Sequence, residues 1–415
     1  MLTNEQLAHE ILLNPDFELT MSKGTNLEER VREVAIQDFF ETIREEFNQG
    51  KYEFWFPQLV ADIKNWLLEL VSRWSPMYEL LTDVIDIELI SQQLKSGTYD
   101  IPKLMKFITE SMLDICAPVR DQAIRNIQKM TDLASVFQCL VEILQDMKLD
   151  LANYQVNMLH PLIQEYGIAY EKEKFNLALS NRTITLERTT KWLCECAYDL
   201  RSPTHGGQVS NIRFDIVYYK AILSTIFSMT VIHHENCPET LTLDVERLYE
   251  YQNESQAITI VAALLMLSKN IVPEFRKNPV EVEKLRDRLF VLLKDPGTIL
   301  ENLTVQLIDS LSQVSSSKNL TRENQELIRS MVDKTLSSKD PVYMLLSRRI
   351  SKILLQHLST GHFPLSGELV GHGIEDVSSQ LQVLSRKLVI LANHNREVYA
   401  AHYNKIIHEC IREGH

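Results

Sequence analysis

Apolar side chains recur every three or four residues along most of this chain, and this spacing constrains the fold more than any other feature of the sequence. Residues three and four apart lie on the same face of an α-helix, so each such stretch predicts a helix with one buried face. A clear example has apolar residues at Phe56, Leu59, Val60, Ile63, Trp66, Leu67, Leu70, Val71 and Trp74. Glycine supplies only 12 and proline only 13 of the 415 residues, and most of them fall between these stretches. The sequence therefore predicts an all-α protein.

The spacing predicts two helices much longer than the rest, near residues 132–179 and 375–411. Pro161 lies inside the first and removes a backbone donor, so we expect a kink near His160. No internal repeat of fixed length is visible, which favours an irregular multi-helix bundle or stacked helix pairs. We expect an N-terminal helical region over 1–200 and a C-terminal region over 201–415 that packs on it in one continuous body. Shorter helices are predicted near 3–14, 26–48, 53–74, 79–95, 101–115, 119–129, 183–199, 212–233, 243–270, 280–294, 297–313, 322–337 and 341–358.

The charge balance argues against two classes of partner. A formal net charge of −13 opposes the attraction to phosphate on which non-specific nucleic-acid binding depends. The same sign disfavours broad adhesion to anionic membranes. The longest apolar run, Ala257 to Leu267, is well short of the roughly 20 residues that span a bilayer. We therefore expect no nucleic-acid partner and no transmembrane segment.

The cysteines predict neither a disulfide framework nor a metal site. No signal peptide is visible at Met1, so we expect a cytoplasmic protein with reduced thiols. Cys194 and Cys196 are separated by one residue, whereas zinc sites prefer two to four between paired cysteines. Two further sets of candidate ligands also lack the spacing of a zinc site: His205 with these two cysteines, and His233 and His234 with Cys237. We therefore predict no metal and no other cofactor. The six cysteines are Cys116, Cys139, Cys194, Cys196, Cys237 and Cys410.

The chain carries no familiar catalytic signature. The nucleophile elbow, the phosphate-binding loop, the HExxH motif and the zinc-deaminase motif are all missing from the sequence. We therefore interpret His9, His357 and His362 as ordinary surface or core histidines and predict a non-enzymatic protein. Two rival functions stay open. An unfamiliar enzyme would show a deep pocket with ionisable groups of shifted pKa, and a peripheral lipid-binding module would show a basic amphipathic face.

Polar residues form a ridge along the first long helix. Asp146, Asp150, Asn153, Asn157, His160 and Gln164 recur at three and four, opposite an apolar ridge of Leu140, Leu144, Met147, Leu151 and Met158. A solvated face is one interpretation of this ridge. The other is a buried network in which Asp150 meets a cation such as Arg120, because a buried charge must be paired.

The second long helix carries a heptad pattern. Its two apolar series are Ile374, Leu381 and Leu388, and Val377, Leu384, Leu391 and Val398. Asn395 and His402 occupy the next two positions of the first series, where a buried Asn can fix the register of packed helices. We favour such a role inside the protein, while a dimer seam is the alternative. The oligomeric state is not determined by the sequence.

The sequence contains four distinctive short blocks, Leu7–Leu19, Cys116–Asp121, Met147–Asn153 and Ala169–Phe175, and a distinctive end around His394, Asn395, Tyr403 and Ile406. Together these segments resemble the T-complex protein 11 family. The resemblance implies a helical non-enzymatic protein in signal transduction, with partners in the cyclic-AMP and protein kinase A pathway. For some members it implies a role in sperm motility and fertilisation. It supplies no catalytic residues.

The residues of these blocks also predict a local structure. Pro118 can begin a helix after Cys116, with Asp121 near the positive N-terminal end. Arg120 can then reach Asp150, and we predict that these two side chains pair. The candidate structural or partner surface comprises Cys116, Pro118, Arg120, Asp121, Asp146, Lys148, Asp150, Asn153 and Asn157.

Overall fold

A computed structural model of the chain describes residues 3–21, 26–201, 213–295, 297–314, 320–335 and 340–413. These residues form α-helices with short 3-10 turns and include no strand, which confirms the all-α, multi-helix prediction. In chain order the helices are α1 (Asn4–Leu13), α2 (Asn26–Asn48), α3 (Trp55–Leu70), α4 (Pro76–Val84), α5 (Ile87–Lys95), α6 (Ile101–Ile115), α7 (Asp121–Ile127), α8 (Leu133–Ser180), α9 (Glu187–Arg201), α10 (Phe214–Ile226), α11 (Val245–Ile271), α12 (Pro273–Arg276), α13 (Pro279–Lys294), α14 (Leu300–Val314), α15 (Arg322–Thr335), α16 (Pro341–Thr360), α17 (Ser366–His372) and α18 (Ser378–Glu413).

Side-chain caps set several helix ends. Thr3 and Gln6 form the reciprocal hydrogen bonds of a capping box at α1. The predicted helix 79–95 is wrong in one respect, because α4 and α5 are separate helices. The Asp86 side chain accepts hydrogen bonds from the backbone amides of Glu88 and Leu89 and so begins a new helix. The short helices α12 and α17 were not predicted.

The chain forms two compact units. The middle unit is Asn14–Ile163, and the terminal unit joins Met1–Leu13 to Gln164–His415. The division falls inside α8, which continues through Pro161 to Ser180. This grouping differs from the predicted regions 1–200 and 201–415. The single continuous body and the kink near His160 stay predictions.

Aromatic and aliphatic side chains from α2 to α8 fill the core of the middle unit. Phe56 of α3 and Phe137 of α8 are fully buried, with ring centroids 5.5 Å apart in an edge-on arrangement. Burying one such side chain stabilises a fold by about 1.5–3 kcal/mol before conformational entropy is counted. The first turns of α8 therefore belong to this core.

The terminal unit is built around α11 and α18, which pack against each other and against α10 and α16, and α18 also packs against α9. Every apolar residue of the heptad pattern in and before α18 is buried in this core. The stripe that looked like a coiled-coil seam is thus covered by helices of the same chain. Among the described residues, no helix combines the length and apolar character needed to cross a bilayer.

Candidate functional site

Arg120 lies between two acidic residues of α8 in the middle unit. Its Nε and Nη2 atoms donate to the two carboxylate oxygens of Asp150, at 2.8 and 3.0 Å, and Nη1 donates to Asp146 at 2.7 Å. The predicted pair of Arg120 and Asp150 is therefore confirmed. The side chains of Arg120 and Asp150 are about one quarter exposed. This part of the polar ridge is neither a freely solvated face nor a fully buried network.

Cys116, Pro118 and Asp121 lie beside this pair. Pro118 opens a 3-10 turn that leads into α7, and the Cys116 thiol donates to the Asp121 carboxylate at 3.4 Å. Burial, together with this carboxylate, raises the pKa of the Cys116 thiol to about 11. Cys116 is thus protonated at neutral pH, and it is a poor nucleophile because the thiolate is the reactive form.

The other predicted surface residues point elsewhere. Lys148 binds Glu69 of α3 at 2.6 Å and lies 4.5 Å from the centre of the Trp66 ring. Asn153 forms two hydrogen bonds with the backbone of Leu19, at 2.6 and 3.1 Å. Asn157 is exposed. Only Arg120, Asp146 and Asp150, with Cys116, Pro118 and Asp121 beside them, form the compact group that was predicted.

The predicted apolar ridge of α8 is correct only in part. Leu140, Leu144 and Met147 are buried, whereas Met158 is 65% exposed. Helical spacing shows which residues share a face, but it does not show where along a long helix the covering helices end.

Two histidines and two carboxylates form a buried group in the terminal unit that was not predicted from the sequence. His9 comes from α1, Glu171 from α8 and His394 from α18, while Asp244 ends a 3-10 helix, Glu239–Asp244, just before α11. All four side chains are buried. We call this group the His–acid cluster. His9 had been interpreted as an ordinary surface or core histidine, and it is a core histidine with two carboxylate partners.

The packing of α1 against α8 places the first two members of the cluster. A Cβ atom added at Gly167 would lie 2.7 Å from Cδ1 of Leu12, so the two helices touch where Gly167 has no side chain. Glu171 follows Gly167 by one turn of α8, and His9 precedes Leu12 by one turn of α1. Residues one turn apart share a helix face, so the close approach at Gly167 brings His9 and Glu171 together.

Glu171 binds both histidines. The Nδ1 atom of His9 lies 3.0 Å from Oε1 of Glu171, and Nε2 of His394 lies 2.9 Å from Oε2. The other ring nitrogen of His9, Nε2, lies 3.0 Å from Oδ1 of Asp244. The rings of His9 and His394 meet edge to face, with centroids 5.2 Å apart.

The electrostatics of the cluster favour charged side chains. Burial lowers the pKa of His9, but the hydrogen bonds to Asp244 and Glu171 and their charges outweigh burial and raise this pKa to about 9. Burial raises the pKa of Glu171, but the hydrogen bonds from His394 and His9 outweigh it and lower this pKa to about 2. Arg247 of α11 extends the network, since it binds Asp244 and also binds Glu10 at 2.6 Å.

The predicted register residue Asn395 lies next to His394 and is buried in the terminal unit. Its Oδ1 accepts hydrogen bonds from the hydroxyls of Tyr218 (3.0 Å) and Tyr403 (2.6 Å), and its Nδ2 donates to the Thr240 carbonyl at 2.7 Å. His402 is half-buried, with Nε2 3.0 Å from Oδ1 of Asn176. The contacts of both residues lie within this unit, and their role in helix register stays a prediction.

One cysteine expectation is corrected. Cys194 of α9 and Cys410 of α18 form a disulfide, with Cα atoms 5.6 Å apart, whereas reduced thiols were expected. Sequence spacing could not predict this pair because 216 positions separate its members. Cys194 is thus not a free ligand beside Cys196, and His205 lies outside the described residues.

The sequence contained a signal for the cluster that spacing did not reveal. His9, Glu171 and His394 each fall in a segment that carries the family resemblance, yet 162 and 223 positions separate Glu171 from its two histidine partners. Local motifs describe ligands within a few residues of one another, so a group assembled from three helices has no such signature.

Two surface cavities, of about 270 and 450 Å³, are lined by residues outside the His–acid cluster.

Comparison with known proteins gives one family. The family model described as T-complex protein 11 matches residues 7–408. The rat T-complex protein 11 homolog is 26% identical over 94% of this chain and 73% of its own length. The human T-complex protein 11 homolog is 25% identical over 98% of this chain and 86% of its own length. No solved structure matches the chain.

Proposed function

Because the chain belongs to the T-complex protein 11 family, we propose that it is a non-enzymatic helical adaptor that binds another protein in a signalling pathway. The resemblance of its sequence blocks supports a partner from the cyclic-AMP and protein kinase A pathway and, for some members of the family, a role in sperm function. We also propose a cytoplasmic location.

One exposed face of α8 in the middle unit carries this proposal. Tyr154, Met158 and Leu162 follow one another at intervals of four and are 62%, 65% and 56% exposed. Side chains four apart form a continuous ridge on a helix, and such ridges pack into the grooves of other helices. We call these three residues the apolar stripe.

The charge pattern around the apolar stripe also favours a protein partner. Charged residues make up 24% of the chain, yet the stretch from Leu151 to Ile163 has none. A helix face that stays in water normally carries charges, whereas the centre of a protein interface is depleted of them and enriched in Tyr and Met. The occupant that fits is an amphipathic helix with apolar residues at the same four-residue spacing. The net charge of −13 favours basic residues at its flanks.

The His–acid cluster does not change this proposal to an enzyme. Both carboxylates of the cluster already hold histidine or arginine partners, and its four members are buried. A catalytic group needs a substrate within hydrogen-bond reach, which a buried side chain does not offer.

The test compares two triple variants of the full chain. The first is Tyr154→Ser, Met158→Ser and Leu162→Ser. The control is Val280→Ser, Val291→Ser and Val305→Ser, which replaces apolar residues of similar exposure, 58%, 68% and 55%, in the terminal unit. Purified regulatory and catalytic subunits of protein kinase A and synthetic amphipathic helices with basic flanks are titrated against each protein.

We expect the wild type and the control to bind at least one of these probes, and the stripe variant to bind at least tenfold more weakly. Circular dichroism checks that all three proteins keep their helix content. Equal binding by the stripe variant and the wild type would disprove the role of the stripe. Turnover of a small molecule found bound in native mass spectrometry would disprove the adaptor function itself.

A further inference from the structure

His9 faces a carboxylate with each of its two ring nitrogens. Nδ1 lies 3.0 Å from Glu171, and Nε2 lies 3.0 Å from Asp244. A neutral imidazole carries only one N–H, so it can donate to only one of these carboxylates. The second contact brings a nitrogen lone pair against an oxygen lone pair unless a positive charge lies there. That charge is either a second proton or a metal ion.

The charge balance of the cluster also requires cations. Glu171 and Asp244 are buried, Glu10 is partly buried, and within the described part of the chain the guanidinium of Arg247 binds Asp244 and Glu10. With neutral imidazoles, three carboxylates and one guanidinium leave an excess of two negative charges. Buried charges are strongly unfavourable without partners. One divalent cation would supply the balance.

Three atoms of the cluster already converge as metal ligands do. His9, Glu171 and His394 each offer one ligand atom, an imidazole nitrogen or a carboxylate oxygen, and these three atoms all lie within 4.8 Å of one another. Zinc binds nitrogen and oxygen at about 2.1 Å, so neighbouring ligands around it are about 3.0–3.4 Å apart. Nδ1 of His9 lies 3.0 Å from Oε1 of Glu171, and Nε2 of His394 lies 2.9 Å from Oε2, so each imidazole is at about this separation from one of the two carboxylate oxygens.

Asp244 occupies the position of an outer partner. Metal-bound histidines usually donate their other ring N–H to a carboxylate, which fixes the tautomer and the orientation of the ring. Asp244 is such a carboxylate, because its Oδ1 lies beside Nε2 of His9. The other ring nitrogen, Nδ1, then faces Glu171. Asp244 is itself held by Arg247. The cluster therefore contains both the ligands and the carboxylate that would support one of them.

We propose that His9, Glu171 and His394 bind one divalent transition-metal ion of the zinc class. Two imidazoles and a carboxylate suit zinc and its first-row neighbours, in contrast to the all-oxygen sites of calcium and magnesium. The ion joins α1, α8 and α18. Because its ligands are buried and lie on three helices, its role is to hold α1 against α8 and α18 within the terminal unit. This site is independent of the apolar stripe.

The test measures metal binding by the full chain after treatment with a chelator. Zn²⁺ content is measured by mass spectrometry after dialysis, and Co²⁺ is used as a spectroscopic probe. We expect one ion per chain, a rise of the melting temperature with Zn²⁺ concentration, and a Co²⁺ spectrum without thiolate charge transfer. Absence of Zn²⁺ uptake by the wild type, or a thiolate band that assigns the metal to a cysteine, would overturn the proposal.

Variants locate the site. Glu171→Gln and His394→Gln should each weaken Zn²⁺ binding by at least about 100-fold, and Asp244→Asn by about 10–100-fold because it removes the outer carboxylate. His402→Gln is the matched control, since His402 lies on the same helix as His394 but binds Asn176. It should bind Zn²⁺ like the wild type. If either ligand variant does not fold, the wild-type Co²⁺ spectrum still distinguishes a site of nitrogen and oxygen ligands from a site that contains sulfur. Unchanged affinity in both folded ligand variants contradicts the assignment.

Discussion

The Nδ1 atom of His9 lies 3.0 Å from Oε1 of Glu171, although 162 positions separate the two residues in the sequence. This contact joins the first helix of the chain to the end of its longest helix, in the interior of the terminal unit. It links the stability of the unit to the charge state of two side chains, and it leads to the first prediction.

The free energy of unfolding of the metal-free protein should depend on pH through His9 and Glu171. The pKa of His9 rises from 6.5 to about 9 in the folded protein, so its contribution is complete below pH 6.5 and is lost as pH rises through 9. The pKa of Glu171 falls from 4.5 to about 2, so its contribution is complete above pH 4.5 and is lost as pH falls toward 2. The cluster should stabilise the fold most between these limits, at pH 4.5–6.5.

Urea unfolding in the presence of a chelator measures this dependence. His9→Gln should flatten the loss of stability on the alkaline side, because Gln does not titrate. His362→Gln is the control, since His362 is exposed and its hydrogen bonds in the described structure are with Thr360. The same alkaline slope in wild type and His9→Gln would contradict the prediction.

Arg120 and Asp150 should show coupled effects on stability. Because both side chains are about one quarter exposed, solvent weakens the pair and we expect a coupling of only about 1 kcal/mol. Arg120→Ala, Asp150→Asn and the double variant give this coupling from their unfolding free energies. Lys106→Ala and Glu110→Gln form the control cycle, because that pair is exposed and 3.7 Å apart. Additive effects at Arg120 and Asp150 would show that their hydrogen bonds do not stabilise the fold.

Gly167→Leu should destabilise the terminal unit by about 1–3 kcal/mol, because the new side chain would meet Leu12 where α1 touches α8. Leu12→Ala should recover part of this loss in the double variant, since it removes the atoms that clash. Gly371→Leu is the control, because a Cβ at that helical position meets nothing within 4 Å. Thermal unfolding measures all four proteins. A loss equal to that of the control, or no recovery with Leu12→Ala, would contradict the close approach.

Asn395→Leu should lower the unfolding free energy by about 2–3 kcal/mol, because it removes the acceptor of the Tyr403 hydroxyl and the donor to the Thr240 carbonyl, while Tyr218 keeps its contact with the Ala392 carbonyl. Asn157→Leu is the matched control at an exposed helix position and should change stability by less than about 0.5 kcal/mol. Urea unfolding gives both values. If the two variants lose equal stability, the amide of Asn395 is not a buried anchor of α18.

Part of the candidate sites could be predicted from sequence because their residues lie close together along helices. Asp146 and Asp150 are four apart on α8, and Arg120 follows a proline that begins a turn. To predict that the three side chains meet, it was enough to assume one contact between this turn and α8. The same reasoning failed at Met158, because the spacing predicts a face but not the extent of its cover. It also failed at Asp86, where a capping side chain divides one predicted helix into two.

The sequence by itself determined the helices, since their period is a local property that three or four residues reveal, and the scarcity of glycine and proline preserved it over long stretches. The tertiary structure alone decided that His9, Glu171 and His394 meet, that Cys194 joins Cys410, and that the heptad stripe of α18 is covered by its own chain. These outcomes depend on how helices far apart in the chain pack together. A period of 3.6 residues describes one helix face and does not specify which other face will cover it.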